Sequence, residues 1–326
     1  MSARQQNGSL PDFDELPLHD GMRSAWGLFG AEDSVGLMNL QTRDSTLRGA
    51  ALVREGAVFA LSASTRAIVP PISETRSPPR HFVAVNPTSG GMDDVLDNYY
   101  PQGSSQWDSL AHVAADSTGQ LYYNGANRED VLTGHRNTID NWARRGIAGR
   151  AVLLDLVRLR ERQGVGYEPG RSEPFDESDL DAALSDTGLT LEAGDMLVFR
   201  TGFLGWYANQ QTSVRRALRY NLTSPGLLAS EGVARYLWNK HISAIISDNF
   251  AVEMWPRPAA QPGDAYPWSL HRQLIGMFGM ALGELWALDE LAEHCATDGR
   301  WEFFLTAAPL NQPGGIGSPA NALAFK

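Results

Sequence analysis

The sequence lacks most of the features that would place it in a large class of proteins. Its 326 residues include one cysteine, Cys295, so no disulfide can form within the chain. No run of 18 apolar residues is present, and a conventional membrane-spanning helix is therefore not expected. The polar, acidic N-terminus has no apolar stretch of the kind found in signal peptides. We therefore expect a cytoplasmic protein that has no membrane partner.

Positive charge is also scarce. The chain has 27 Lys and Arg against 38 Asp and Glu, which gives a formal net charge of −11. Binding to nucleic acid requires a basic face, and pairs such as Arg144-Arg145 and Arg215-Arg216 are too short to supply one. The composition therefore argues against a nucleic-acid partner.

Several catalytic motifs are missing as well. There is no G-x-S-x-G elbow of a serine hydrolase, no P-loop, no H-E-x-x-H pair and no cysteine pair with zinc spacing. Cys295 follows His294, but adjacent residues on a helix point about 100° apart, which disfavours a Cys–His nucleophile.

What is present indicates one α/β domain. Hydrophobic residues make up 43% of the chain, and apolar strand-like runs alternate with helical patterns. We predict a loose N-terminal arm over residues 1–25 and a single domain over 26–326. The clearest predicted helices are 42–54, with Thr42 as N-cap, 128–145, 178–184, 231–239 and 285–295. The clearest predicted strands are 58–62, 81–85, 151–157, 196–201, 241–248 and 301–307.

Two pairs of residues could carry chemistry. Asp108 and His112 are four apart, so either a helical turn or a tight loop would bring them together as metal ligands or as an acid/base pair. By spacing alone, an ordinary hydrogen-bonded pair is the commoner outcome. His271 and Glu284 would lie about 220° apart on a straight helix. Gly276, Gly279 and Gly283 could break that helix and let both approach one point; otherwise His271 caps a helix and Glu284 is solvated.

Several motifs, in this order, resemble the longer members of the putative cyclase family, which includes kynurenine formamidase and isatin hydrolase. The resemblance covers the chain from Trp26 to the C-terminus. The matching segments are 106–112 (QWDSLAH), 123–125 (YNG), 194–202 (GDMLVFRTG), 247–249 (SDN), 271–272 (HR), 283–285 (GEL) and 313–319 (PGGIGSP).

This resemblance implies a swivelling β/β/α fold, a homodimer or homotetramer, and a zinc or manganese ion. It also implies hydrolysis of an amide, cyclic amide or lactone bond in a small-molecule substrate. In formamidase-type members the metal motif is H-x-G-T-H-x-D-x-P-x-H. Here His112 matches the second histidine and Asp108 replaces the first, whereas Ala114 and Thr118 replace two further motif positions. The implied ligands are Asp108, His112, His271 and Glu284, with Asp116 as a substitute for the missing carboxylate.

The implied mechanism is attack on a carbonyl by a metal-activated water. His112, His271 and Glu284 would belong to the catalytic set, and His81 and His241 are candidates for the general acid. An aromatic pocket would be lined by Trp107, Tyr122, Tyr123 and Trp255, and Asp248 could orient a ligand histidine. Two alternatives remain open: a metal-dependent lyase or cyclase, and a degenerate binding protein of the same fold.

Overall fold

The computed structural model describes residues 10–257 and 268–326, and these form a mixed α/β fold. The β-strands are β1 (Leu18–His19), β2 (Met22–Arg23), β3 (Val58–Ala60), β4 (Arg80–Val85), β5 (Met92–Asp97), β6 (Gln106–Asp108), β7 (Ile147–Asp155), β8 (Pro174–Phe175), β9 (Met196–Arg200), β10 (Gly226–Leu227), β11 (Ala244–Ser247), β12 (Ala281–Glu284), β13 (Glu302–Ala307), β14 (Gly317–Pro319) and β15 (Ala322–Phe325).

The described residues also form nine α-helices. They are α1 (Arg43–Ala50), α2 (Arg128–Leu132), α3 (Asp140–Arg145), α4 (Leu156–Gln163), α5 (Glu177–Thr187), α6 (Phe203–Ala208), α7 (Thr212–Leu218), α8 (Glu231–Asn239) and α9 (Asp289–Asp298). A π-helix spans Arg272–Met277, and 3-10 turns span Phe13–Glu15, Gly36–Leu40, Pro101–Gly103 and Tyr123–Gly125. Within the described ranges, no helix is both long and apolar enough to cross a bilayer.

A nine-stranded sheet organises the domain, in the order β14-β6-β12-β11-β9-β7-β13-β15-β3. The central strands β12, β11, β9 and β7 are parallel, and antiparallel strands extend the sheet at both ends. The parallel strands are buried over nearly their whole length, as expected where both faces are covered. This explains why they appear in the sequence as continuous apolar runs.

The predicted elements are mostly present, with shifted ends. Thr42 caps α1 by accepting the backbone N–H of Ser45, as predicted. The predicted helix over 128–145 is wrong as one element, because the chain turns at Gly134 with φ +76° and divides it into α2 and α3. The predicted helix over 285–295 begins four residues later, since β12 continues to Glu284 and Leu285 has φ +56°.

Residues 10–25 are packed on the domain. Phe13 and Leu16 are buried, and the ring of Phe13 lies edge-on to Phe278 at 6.0 Å. A loose arm is therefore wrong for this part of the predicted N-terminal segment, because apolar side chains at these positions fill the core. The division of the chain at residue 25 stays a prediction.

The hairpin of β4 and β5 contrasts with the rest of the fold. All twelve of its residues are exposed, and they include Phe82, Val83, Val85, Met92, Val95 and Leu96. Its two strands pair with each other in a separate two-stranded sheet.

Candidate metal centre

Strand pairing places two acidic side chains on one face of the sheet. β6 runs antiparallel to β12, with Asp108 opposite Leu282 and Gln106 opposite Glu284. Opposite residues of an antiparallel pair share a face, and so do residues two apart along a strand. Gln106, Asp108 and Glu284 therefore lie on the same face, although 176 positions separate the two carboxylates in sequence.

A fold-back brings His271 to the same place. His271 directly precedes the π-helix, after which the chain turns at Gly279 with φ +69° and enters β12. A Cβ on Gly279 would lie 2.4 Å from the ring of Tyr123, so the close packing requires glycine. The Nε2 atom of His271 consequently lies 3.0 Å from Oε1 of Glu284. Of the two arrangements that the spacing left open, the structure has the one in which the segment is interrupted and the two residues meet.

The three residues form a buried cluster of potential metal ligands. One donor atom from each of Asp108, His271 and Glu284 lies within 4.8 Å of the others. Asp108 is fully buried, and its Oδ1 has no hydrogen-bond partner among the described residues. An unpartnered buried carboxylate oxygen is costly, which fits a position that a cation would complete.

His112 stands beside the cluster and is not one of its three mutually close members. Its Nδ1 lies 3.7 Å from Oδ1 of Asp108, and its ring centroid is 6.5 Å from that of His271. About a quarter of its side chain is exposed, whereas the three clustered residues are buried. His112 thus borders the cluster on the solvent side.

Glu253 supports the cluster, and sequence reasoning missed it. Its buried carboxylate accepts a hydrogen bond from Nδ1 of His271 at 2.8 Å and from the backbone N–H of Leu270. Asn249 holds the loop that carries Glu253, because its Oδ1 accepts the N–H of Val252. No motif or spacing marks Glu253, and it is found only from its contact with His271.

Gln106 supports the two carboxylates from the opposite side. Its Nε2 donates to Oε2 of Glu284 and, at 3.5 Å, to Oδ2 of Asp108. These bonds occupy one oxygen of each carboxylate. The other oxygen of Glu284 contacts His271, and Oδ1 of Asp108 has no hydrogen-bond partner among the described residues. The arrangement orients both acids toward the same point.

The burial of these groups changes their pKa values. Burial, reinforced by Glu284, raises the pKa of Asp108 to about 6 against the opposing effect of His112. Burial disfavours a charged His271, but the hydrogen bonds to Glu253 and Glu284 outweigh it and raise its pKa to about 10. Burial lowers the pKa of His112. Without a cation, a proton on His271 is therefore shared with Glu284, and metal binding would displace it.

A cleft of about 370 Å³ opens above the cluster. Of the predicted pocket residues, Trp255 lines it. Trp107 instead packs in the core between Trp142 and Trp286, and the buried Tyr123 donates its hydroxyl to Asp33. Neither they nor Tyr122 line the cleft. Its lining residues are Arg76, His112, Val113, Phe250, Ala251, Trp255, Arg257, Ser269, His271, Arg272 and Glu284.

Other predicted site residues lie elsewhere for local reasons. Asp116 closes a turn, since its carboxylate accepts the N–H groups of Gln120 and Leu121. His81 lies on the exposed β4–β5 hairpin, where it pairs with Asp94. His241 occupies the turn after α8 with φ +51° and packs against Trp238. The geometry therefore does not support metal binding by Asp116 or proton transfer by the two histidines.

Asp248 also differs from its predicted role. Its carboxylate accepts the N–H groups of Thr201 and Gly202 and the hydroxyl of Thr201. It therefore fixes the end of β9, and it is Glu253 that holds the ring of His271.

Comparison with known proteins identifies the family. A sequence profile described as "Putative cyclase" matches residues 60–254. The crystal structure of a protein described as a novel cyclase is 30% identical in sequence to this chain and superposes with a TM-score of 0.81. The match covers 93% of this chain and 99% of the other. This chain belongs to the putative cyclase family. The matched range includes Asp108, His112 and Glu253, whereas His271 and Glu284 follow it.

Two solved structures of lower sequence identity share the fold of this cyclase-family protein. Isatin hydrolase A from Labrenzia aggregata, solved with benzyl benzoate, is 16% identical, covers 86% of this chain and 97% of its own, and gives a TM-score of 0.53. An isatin hydrolase bound to the product analogue thioisatinate is 17% identical, covers 87% and 98%, and gives 0.55. No curated protein matches the chain. The fold class predicted from the sequence is confirmed.

Proposed function

We propose that this protein is a metal-dependent hydrolase that opens an amide, cyclic amide or lactone bond of a small aromatic or cyclic substrate. The observation that carries the proposal is the buried Asp108, His271 and Glu284 cluster, with an unpartnered carboxylate oxygen, at the base of a cleft that contains Trp255. Two proteins that share this fold are isatin hydrolases, which makes a cyclic amide the first substrate class to test.

The donor set suits a divalent cation. One imidazole and two carboxylates are ligands that zinc and manganese both accept. Asp108, His271 and Glu284 would hold the ion, with His112 at its border. When bound, such an ion lowers the pKa of water and polarises a carbonyl oxygen.

The residues around the cluster have distinct roles in this proposal. Glu253 keeps the proton of His271 on Nδ1 and so leaves Nε2 for the ion. Gln106 holds Glu284 in place through its amide N–H. The aromatic ring of Trp255 packs against the substrate ring in the cleft.

His112 is the proposed proton carrier. It lines the cleft, is partly exposed, and has a lowered pKa, so its neutral form is available near pH 7. It takes a proton from the attacking water as the new C–O bond forms. It returns that proton to the leaving nitrogen or oxygen as the scissile bond breaks. This replaces His81 and His241 as the proposed acid.

Metal analysis and isotope labelling test the proposal together. The purified protein is analysed for metals and assayed with isatin, cyclic imides, N-formyl aromatic amines and lactones in ¹⁸O-water. Stoichiometric zinc or manganese and ¹⁸O in the product carboxylate are expected. Turnover without label would identify the lyase or cyclase alternative, and binding without turnover would identify the degenerate binding protein. A homodimeric or homotetrameric state and a cytoplasmic location stay predictions.

A further inference from the structure

The cleft carries one arginine without a carboxylate partner among the described residues. Arg76 is partly buried, lines the cleft and donates through Nη1 to the carbonyl oxygen of Gln102. Within residues 10–257 and 268–326, no carboxylate oxygen lies within 4.0 Å of its guanidinium. Burial is the largest influence on the pKa values of Asp108 and His112, and the charge of Arg76 adds a smaller lowering of each. The positive charge of Arg76 therefore reaches the two ionisable groups Asp108 and His112.

The two other arginines of the cleft are engaged differently. Arg257 pairs with Glu253 at 2.9 Å, and its guanidinium lies 4.9 Å from the ring centroid of Trp255. Arg272 pairs with Asp20 at 3.2 Å and donates to the carbonyl oxygen of Ala115. Both therefore already have acidic partners.

The charges of the loaded site do not cancel. Arg257 offsets Glu253, and a divalent ion would offset Asp108 and Glu284, with His271 and His112 neutral. Among residues 10–257 and 268–326, no negative charge offsets that of Arg76 in this balance. This step depends on the proposed metal site. A cleft with one excess positive charge favours an anionic ligand over a neutral one.

We propose that Arg76 binds a carboxylate of the substrate that is separate from the scissile bond. The substrate class is then an aromatic amide or cyclic amide that bears a carboxylate. The guanidinium is suited to this because its fixed N–H groups match the two oxygens of a carboxylate. Phe250 and Trp255, whose ring centroids are 6.3 Å apart, supply the apolar wall beside it.

Equilibrium binding tests this without requiring turnover. Benzoate and benzamide, which differ mainly in charge, are titrated by calorimetry into metal-loaded wild type, R76Q and R76K. We expect benzoate to bind the wild type at least about tenfold more tightly than benzamide. R76Q should lose that preference, and R76K should keep part of it. Equal binding by the wild type would overturn the proposal. So would a preference that survives in R76Q, because it would place the carboxylate on the metal.

Turnover of a matched substrate pair distinguishes a failure of the Arg76 proposal from a failure of the hydrolase proposal. Isatin and isatin-5-carboxylate are compared in wild type, R76Q and R216Q, in which an exposed arginine of α7 is changed as the control. R76Q should raise KM for the carboxylate alone and leave the metal content unchanged; R216Q should change neither. Equal use of both substrates by wild type and R76Q would overturn the role of Arg76 but leave the hydrolase proposal standing. No turnover of either substrate, with the benzoate preference intact, would overturn the hydrolase proposal but leave the role of Arg76 standing.

Discussion

Two groups of acidic residues and histidine in this protein have similar composition and different surroundings. Asp108, His271 and Glu284 are buried beneath a cleft, whereas Glu55, His294 and Asp298 lie at or near the surface. In both, one donor atom from each residue lies within 4.8 Å of the others. Proximity alone therefore does not distinguish them.

The difference lies in how the negative charges are balanced. In the surface group, Arg300 pairs with Glu55 at 3.4 Å and Lys326 pairs with Asp298 at 2.8 Å. In the buried group, no lysine or arginine pairs with Asp108 or Glu284 among the described residues; their ionic contacts are with His112 and His271. A carboxylate that already pairs with a lysine or an arginine gains less from binding a metal ion. We infer that the buried group binds metal and that the surface group stabilises the fold.

The largest expected effect separates the two groups directly. Replacement H271A should abolish metal binding and reduce turnover to background, because the cluster loses its only imidazole donor. The matched variant H294A should retain both. Metal content by mass spectrometry and the hydrolase assay provide the measurement. A fully loaded H271A protein, or an H294A protein without metal, would reverse the assignment.

The second prediction compares the carboxylates beside the two histidines. E253Q should weaken metal binding about 10–100-fold, because Glu253 orients His271 and increases its basicity. E55Q is the matched control, since Glu55 lies 3.2 Å from Nε2 of His294. Competition with a chelator measures both affinities. Equal affinities for E253Q and wild type would show that the contact is only structural.

The third prediction concerns stability. K326M should lower the free energy of unfolding by about 1–3 kcal/mol, because the buried ammonium donates to Asp298 and to the carbonyl oxygen of Arg300. Metal affinity should stay at the wild-type value. Urea unfolding checks the first effect and chelator competition the second. A change in metal affinity would mean that the two regions are coupled.

The smallest effect is a pH dependence within the surface group. Burial opposes ionisation of Asp298, but Lys326 and the N–H of Arg300 outweigh it and lower its pKa. A lowered pKa stabilises the folded state above the unfolded value, and this stabilisation disappears as pH falls through the folded pKa. The stability difference between wild type and D298N should therefore shrink between pH 5 and pH 3. A constant difference in urea unfolding over this range would contradict the charge interaction.

Local sequence patterns were sufficient to predict much of the fold. The buried strands β7, β9 and β11 were visible as apolar runs, α8 was predicted with its observed ends, and Thr42 was predicted as an N-cap. These features depend on residues close in sequence, or on burial that affects every residue of a strand. The family resemblance supplied His271 and Glu284, which spacing alone left undecided.

Side-chain roles were predicted less well where distant contacts decide them. Trp107 and Trp255 look alike in sequence, yet one fills the core and the other lines the cleft. Asp116 and Glu253 are both acids near recognised motifs, but a tight turn engages the first and His271 engages the second. No local pattern encodes these partners.

The sequence by itself determined an α/β chain with buried parallel strands and, through its motifs, the residues that could bind a metal. Only the tertiary structure decided which of them meet. β6 pairs with β12, and the π-helix returns His271 to the end of that strand. The physical reason is that a metal centre depends on distances, burial and uncompensated charge. These arise when segments more than 100 residues apart pack together.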